Sequence, residues 1–229
     1  MEQTMFETLM NLPLFNGVSY NRLSEIVGNT RLSFLKYLQG ETLIYPDDPC
    51  DSLKFIISGK VKMTVSTHDE RFSVTSTLDA PSVLMPEYLF GRSTVYPCRV
   101  VAAETVSVMQ ISKSDFTRLL STDEVFMFNY LNHISSSAQK SVEGVLALTS
   151  GSLEERIAFW IIALTQRDSK DIVLSCRQRD FCAVFGVPRS SLVAALDHLK
   201  ELGYIEYTPV SIKVRSRREM ASLLVHSRD

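Results

Sequence analysis

Residues 178–196 read QRDFCAVFGVPRSSLVAAL, and this stretch decides how the C-terminal part of the chain folds. A helix-turn-helix needs a small residue where its helices cross, a residue that tolerates positive φ in the turn, and apolar residues that lock the pair. Cys182 supplies the first and Gly186 the second. The locking positions are Phe181, Phe185, Val187, Leu192 and Ala195. The stretch therefore predicts a helix-turn-helix, with a plain αα-hairpin as the alternative.

The second helix of this motif is predicted to bind double-stranded DNA. Pro188 suits its opening, and the amides and dipole of a helix N-terminus favour phosphate. In such motifs this helix enters the major groove. Arg189 is able to donate two bonds to guanine or to pair with phosphate, and the sequence does not decide between these. The predicted contact residues are Arg177, Gln178, Pro188, Arg189, Ser190, Ser191 and Ala194, the two serines being equally interpretable as helix surface or cap.

A two-stranded wing is predicted beyond this helix. Residues 204–207 and 210–214 alternate apolar with polar side chains on either side of Thr208-Pro209. Lys213 and Arg215 are predicted DNA contacts on the wing, and its basic end is expected to continue through Arg217 and Arg218. Residues 151–229 carry 12 basic and 10 acidic side chains, whereas residues 1–150 carry 12 and 16. This asymmetry agrees with a polyanionic partner at the C-terminal end.

The middle of the chain is predicted to be antiparallel β-structure. Short runs rich in β-branched residues, separated by turn residues, are typical of a sandwich, barrel or jelly roll. These runs cover residues 42–45, 52–57, 60–65, 72–78, 99–103 and 107–111. Apolar spacings of three and four predict helix within residues 4–30, and Ser112 or Ser114 is the expected N-cap of another helix. The predicted fold class is α+β.

Residues 124–148 form a long helical pattern with a heptad stripe. The stripe consists of Phe128, Leu131, Ser135, Ala138, Val142 and Val145. It is interpreted as a homodimer seam, the alternative being a helix that packs on its own domain. Residues 150–152 read as a hinge, and Ser152 with Glu155 resembles a capping box that opens the next helix.

Other classes of function find little support in the sequence. The four cysteines lack zinc or iron–sulfur spacing, so neither a metal nor a cofactor is expected. The four histidines accompany no nucleophile and no glycine-rich phosphate loop, so no catalytic residue is assigned and the chain is not expected to be an enzyme. Membrane-spanning and signal segments are not recognisable, which makes the cytoplasm the expected location.

The chain as a whole resembles the bacterial family of cyclic-AMP receptor proteins and fumarate–nitrate-reduction regulators (Crp/Fnr). The resemblance runs from residues 12–15 (LPLF) through Gly40-Glu41 and residues 51–62 (DSLKFIISGKVK) to the winged helix-turn-helix. It implies a cyclic-nucleotide-binding-like β-roll at residues 1–122, a dimerisation helix with its hinge at 123–150, and a DNA-binding domain at 151–229. The implied protein is a homodimeric transcription regulator on a palindromic operator, with RNA polymerase as a partner.

The sequence departs from the family where cyclic AMP would bind. Glu87 stands at the family's glutamate, but Pro86 replaces its glycine, and Tyr96-Pro97-Cys98 occupies the place of its phosphate-binding Arg-Ser pair. A phosphate needs a guanidinium and free amides, which tyrosine and proline do not supply. The β-roll is therefore not expected to bind cyclic AMP in the family manner. The alternative is a cyclic nucleotide or small metabolite held in another register by Arg92 or Arg99.

Overall fold

The chain forms two compact units. The computed structural model describes residues 5–67, 69 and 71–226, apart from the side chains of residues 5, 140–150, 225 and 226. The first unit, here called the β-roll unit, contains the residues up to Lys62 together with Asp79–Ala138. The second, here called the winged-helix unit, contains Met63–Leu78 together with the residues from Gln139 onward. This division does not test the domain limits predicted at residues 122 and 150, which stay a prediction.

The N-terminal half is built on antiparallel strands, as the spacing predicts. Its strands are β1 (Leu32–Tyr37), β2 (Thr42–Ile44), β3 (Ser52–Ser58), β4 (Lys60–Ser66), β5 (Ser73–Asp79), β6 (Ser82–Leu84), β7 (Arg99–Ala102) and β8 (Val106–Ser112). In the β-roll unit one sheet has the order β1-β8-β3-β6, and β2 pairs with β7. Most of the β4–β5 hairpin belongs to the winged-helix unit.

Apolar residues in register hold the four-stranded sheet to its core. Leu53 lies opposite Ile111 and Phe55 opposite Met109 across β3 and β8, and all four side chains are buried. Gly59 follows β3 at a φ of +88°, and a Cβ there would lie 2.4 Å from the carbonyl oxygen of Thr105. Only glycine fits so close an approach at that φ, which explains why a glycine follows Ser58 at the end of β3.

Helices cover this sheet. They are α1 (Met5–Met10), α2 (Tyr20–Asn29), α3 (Lys113–Thr122) and the start of α4 (Glu124–Ser150), with a 3₁₀ turn at Pro86–Tyr88. Ser112 caps α3 by accepting a hydrogen bond from the Asp115 amide at 3.1 Å, so the predicted cap is confirmed. The ring of Phe15 lies 5.6 Å from that of Phe55 and 4.9 Å from that of Phe126. This aromatic contact fixes the first turn of α4 on the β-roll.

The winged-helix unit includes the end of α4 and the elements that follow it. Its elements are α5 (Leu153–Ala163), β9 (Lys170–Ser175), α6 (Gln178–Phe185), α7 (Arg189–Glu201), β10 (Ile205–Thr208), β11 (Ser211–Ser216) and α8 (Arg217–His226). The predicted capping box of Ser152 and Glu155 opens α5 and is confirmed. No helix in the described part of the chain is both long and apolar enough to cross a lipid bilayer.

The β4–β5 hairpin completes the sheet and core of this unit. The strand order is β10-β11-β9-β5, with Val74 of β5 opposite Leu174 of β9. Val74 is buried in the same apolar cluster as the helix-turn-helix. The ring of Phe72 lies 5.7 Å from that of Trp160 and 6.4 Å from that of Phe181. A segment far away in sequence is thus part of the fold that carries α6 and α7.

The end of the wing differs from expectation. Arg217, expected to extend the basic end of the wing, instead begins α8 and is half-buried. Its amide donates to the Ser169 carbonyl at 2.9 Å and its Nε to the Ile162 carbonyl at 3.2 Å. These bonds tie α8 to the end of α5, so Arg217 supports the fold. The strands β1, β6 and β9 were also absent from the predicted set.

Candidate nucleic-acid interface

The helix-turn-helix has the predicted geometry. Gly186 ends α6 in the left-handed conformation, with φ +65° and ψ +35°, and Pro188 is the N-cap of α7. Phe181 and Phe185 bury the inner face of α6. An Nη of Arg156 on α5 donates to the Phe185 carbonyl at 2.6 Å, which satisfies an acceptor at the end of α6. The turn is therefore held from inside the unit, and its outer face remains in solvent.

The nine predicted DNA contacts lie on the surface of the winged-helix unit. Gln178 is half-buried, and the other eight are exposed: Arg177, Pro188, Arg189, Ser190, Ser191, Ala194, Lys213 and Arg215. Five of them occupy the start of α7, where its first amides and dipole favour an anion. On the opposite face of α7, Leu192, Ala195, Leu196 and Leu199 are buried. The exposed face of the helix is thus the one that carries the hydrogen-bonding side chains.

The wing is joined to the start of α6 through its turn. The Cys176 amide donates to the Val210 carbonyl at 3.0 Å, and the Gln178 amide donates to the Pro209 carbonyl at 3.2 Å. Lys213 is exposed on β11, and Arg215 lies 3.9 Å from Glu219, a long contact between exposed groups. Arg215 is therefore only weakly engaged within the chain.

Arg189 is in contact with Gln178. Its Nε donates to Oε1 of Gln178 at 3.2 Å, which brings together two of the predicted contact residues from α6 and α7. A guanidinium carries five N–H donors and no acceptor, so the two Nη groups keep their donors for another partner.

Tyr96, which the sequence predicts to stand in place of a phosphate-binding arginine, is buried in the β-roll unit. This side chain is 1% exposed, and burial raises the pKa of its phenol, which stays neutral. Its hydroxyl donates to the Ser52 carbonyl at 3.2 Å and lies 3.3 Å from Nζ of Lys54. Lys54 was not singled out from the sequence, because a lysine in a strand carries no signal of its own. A neutral, hydrogen-bonded phenol is a poor partner for an anion.

Glu87 lies in the 3₁₀ turn beside buried groups. Burial raises the pKa of its carboxyl, against the hydrogen bond of its own amide. Burial raises the pKa of Cys98 to about 12, and the charge of Glu87 adds to this effect. Sγ of Cys98 lies 3.5 Å from Sδ of Met85, and both side chains are buried. The carboxyl of Glu87 therefore lies in a partly desolvated environment.

The two arginines of the alternative register lie on the surface. Arg92 is exposed, and an Nη of Arg99 donates to Oγ1 of Thr42 at 3.0 Å, with the guanidinium over the Tyr45 ring. Two cavities in the β-roll unit, of 310 and 200 Å³, are lined by other residues: Thr8, Leu9, Phe34, Ile57 and Ser107 in the first, and Arg22, Glu25, Ile26, Asn29, Thr30, Arg118, Leu119 and Thr122 in the second.

The heptad stripe of α4 is exposed wherever its side chains are described. Phe128 is 57% exposed and Leu131 48%, and Ser135 and Ala138 follow on the same face. Phe126 and Tyr130, on the other face, are buried against the β-roll. The side chains of Val142 and Val145 lie outside the described residues. Large apolar side chains aligned on an exposed helix face are typical of an interaction surface.

Comparison with known proteins gives the following matches. Residues 34–123 match the family model of the cyclic nucleotide-binding domain. The cyclic AMP receptor protein of Thermus thermophilus is 24% identical over 209 residues, covering 89% of this chain and 92% of the relative. The crystal structure of the Thermus thermophilus catabolite activator protein has a TM-score of 0.54 at 17% identity, covering 93% of this chain and 99% of that one. The sensor domain of the Pseudomonas aeruginosa transcriptional regulator DNR has a TM-score of 0.52 at 16% identity, covering 60% and 90%. These two solved structures share their fold with the aligned part of this chain.

Proposed function

We propose that this chain, which belongs to the Crp/Fnr family, is a homodimeric transcription regulator that binds a palindromic operator in double-stranded DNA. The observation that carries the proposal is the exposed start of α7. There Arg189, Ser190 and Ser191 stand together at a helix N-terminus, on the second helix of a helix-turn-helix. This arrangement offers donors to base edges and phosphates at once.

The homodimer is supported by the exposed stripe of α4. Phe128 and Leu131 would each leave a large apolar surface in water in a monomer. A second copy of the helix covers such a stripe by packing knobs into holes. A twofold dimer also presents two recognition helices, which explains why the proposed operator is palindromic. The family resemblance further implies RNA polymerase as a partner at promoters.

The β-roll is proposed not to hold cyclic AMP in the family manner. In the family resemblance Tyr96 stands in the arginine's place, and its hydroxyl is already bonded to the Ser52 carbonyl. Arg92 and Arg99 are exposed, and no observation on the described residues favours either as a replacement phosphate ligand. The proposed effector, where one acts, is therefore of another chemical class, or the β-roll serves structure alone.

The proposed function is tested by selection from a random double-stranded DNA library with the full-length protein. Enrichment of a symmetric motif is expected, with half-sites about 34 Å apart. Affinity for the enriched sequence should fall steeply with salt, because phosphate contacts release counterions. An unselected duplex of equal length is the control. A pool without enrichment, or binding that is indifferent to salt, would contradict the proposal.

A further inference from the structure

Gln178 links the wing to the recognition helix. It is the first residue of α6, and its amide donates to the Pro209 carbonyl in the wing turn at 3.2 Å. Its side chain accepts a hydrogen bond from Nε of Arg189 at 3.2 Å. One residue therefore contacts both elements that face the proposed DNA.

The position of Gln178 is itself well fixed. The Cys176 amide donates to the Val210 carbonyl at 3.0 Å, so two neighbouring bonds hold this segment to the wing turn. Phe181, one turn later in α6, is buried in the core of the unit. Gln178 is half-buried, whereas Arg189 is exposed. The glutamine thus acts as a fixed anchor for a long and otherwise mobile side chain.

The bond to Gln178 determines which N–H groups of Arg189 are left to donate to DNA. A bond from Nε to Gln178 leaves the two Nη groups to donate, and two parallel bonds from a guanidinium match O6 and N7 of guanine. The amide of Gln178 is neutral, so it orients the guanidinium without cancelling its charge. An acidic residue in its place would lower the positive potential offered to DNA.

We propose that Gln178 is a positioning residue for Arg189, holding its Nε so that both Nη groups are presented end-on to a guanine edge. The inference rests on the proposed DNA-binding function. Since a hydrogen bond of this kind contributes modestly, loss of the acceptor should weaken operator binding by about three- to tenfold per half-site. Affinity for random DNA should fall much less than affinity for the operator, because it depends mainly on charge and the substitution removes none.

The test uses Gln178→Met and Gln178→Glu in the full-length protein, with the operator selected by the wild type. Methionine matches the length of glutamine and lacks the acceptor, while the backbone bond to Pro209 is kept. Glutamate keeps the acceptor. Gln166→Met makes the same change in a half-buried glutamine outside the helix-turn-helix and serves as the control.

Gln178→Met is expected to reduce the ratio of operator to random affinity and to relax the guanine preference at one position per half-site. Gln178→Glu should retain that preference while weakening binding to both DNAs. In an Arg189→Ala background, Gln178→Met should have no further effect on discrimination, which separates positioning from a general structural role.

Three results would overturn the inference alone, given a wild type that selects an operator. These are unchanged discrimination in Gln178→Met, an equal loss on operator and random DNA, and an undiminished effect in the Arg189→Ala background. A wild type that selects no sequence would instead overturn the proposed function, and this inference with it.

Discussion

The phenol of Tyr96 donates a hydrogen bond of 3.2 Å to the carbonyl oxygen of Ser52. The sequence predicts that Tyr96 replaces a phosphate-binding arginine, and this bond already occupies its hydroxyl. Lys54 lies with Nζ 2.9 Å from Oγ of Ser52 and 3.3 Å from the same phenol. The polar groups of Tyr96, Ser52 and Lys54 are therefore hydrogen-bonded to one another.

The first prediction is that cyclic AMP does not bind in the β-roll in the family manner. Displacing Tyr96 from its bond would remove a buried hydrogen bond, and the phenol offers no charge to a phosphate. Calorimetry with millimolar cyclic AMP should show no saturable heat. A micromolar Kd that is lost in Glu87→Ala, but kept in the exposed control Glu104→Ala, would contradict the prediction.

The second prediction concerns the dimer. Leu131→Glu places like charges face to face in the proposed seam, and the burial of unpaired charge strongly opposes association. The variant should be monomeric at micromolar concentration by light scattering after size exclusion. Leu38→Glu changes a similarly exposed leucine away from α4 and should remain dimeric. A Leu131→Glu protein of dimeric mass would show that the seam lies elsewhere.

The helix-turn-helix could be predicted from sequence because each of its requirements falls on a distinctive residue. Gly186, Pro188 and the buried Phe181 are local signals, and the structure places each as expected. The heptad stripe of α4 can equally be recognised from the sequence, since its period lies within one continuous helix, and its role as a dimer seam stays a prediction. Arg217 was misjudged because burial of an arginine against the carbonyls of Ile162 and Ser169 has no local signature.

The role of the β4–β5 hairpin could not be predicted for the same reason. Phe72 and Val74 read as an ordinary strand of the β-roll. Their partners, Trp160 and Leu174, are about a hundred residues away in the chain. Strand pairing at that separation depends on tertiary packing and is not visible in periodicity. The Gln178–Arg189 contact is also tertiary, although both residues were predicted to lie at the interface.

The third prediction is that the hairpin stabilises the winged-helix unit. Phe72→Ala removes a half-buried ring from the Trp160 and Phe181 cluster and should lower the free energy of unfolding by about 2 kcal/mol. Trp160 is the single tryptophan of the chain, so its fluorescence reports on this unit during urea unfolding. Phe34→Ala, in the half-exposed Phe34 of the β-roll unit, is the control. An unchanged midpoint in Phe72→Ala would contradict the proposed role.

The fourth prediction concerns the pH dependence of stability at the start of α4. Burial opposes ionisation of Asp123, but hydrogen bonds from Arg22 at 2.7 Å and from the Phe126 amide at 2.8 Å prevail and lower its pKa. A carboxyl whose pKa is lower in the folded than in the unfolded chain stabilises the fold at pH values above its unfolded pKa. That stabilisation is lost as the pH falls through the folded pKa.

Asp123→Asn should therefore be less stable than wild type at pH 7, with the difference in Tm shrinking as pH falls below about 4. Asparagine still accepts from the Phe126 amide, so the comparison isolates the charge. Glu25→Gln removes the exposed partner of the same Arg22 and should have a smaller effect. A difference for Asp123→Asn that stays constant from pH 7 to pH 3 would show that the carboxylate charge is not involved.

The most direct test of DNA recognition by α7 is the effect of Arg189→Ala on operator and random DNA. Removing a bidentate bond to guanine, at about 1–3 kcal/mol for each of two half-sites, should weaken operator binding by tens- to thousands-fold and random binding much less. Lys213→Ala on the wing is the matched control, expected to weaken both about equally and to reduce the salt slope by roughly one for each phosphate that is no longer neutralised. We predict that gel shifts over a salt series show a collapse of discrimination for Arg189→Ala alone. Equal weakening on operator and random DNA in Arg189→Ala would contradict base recognition by this residue and make it a phosphate contact.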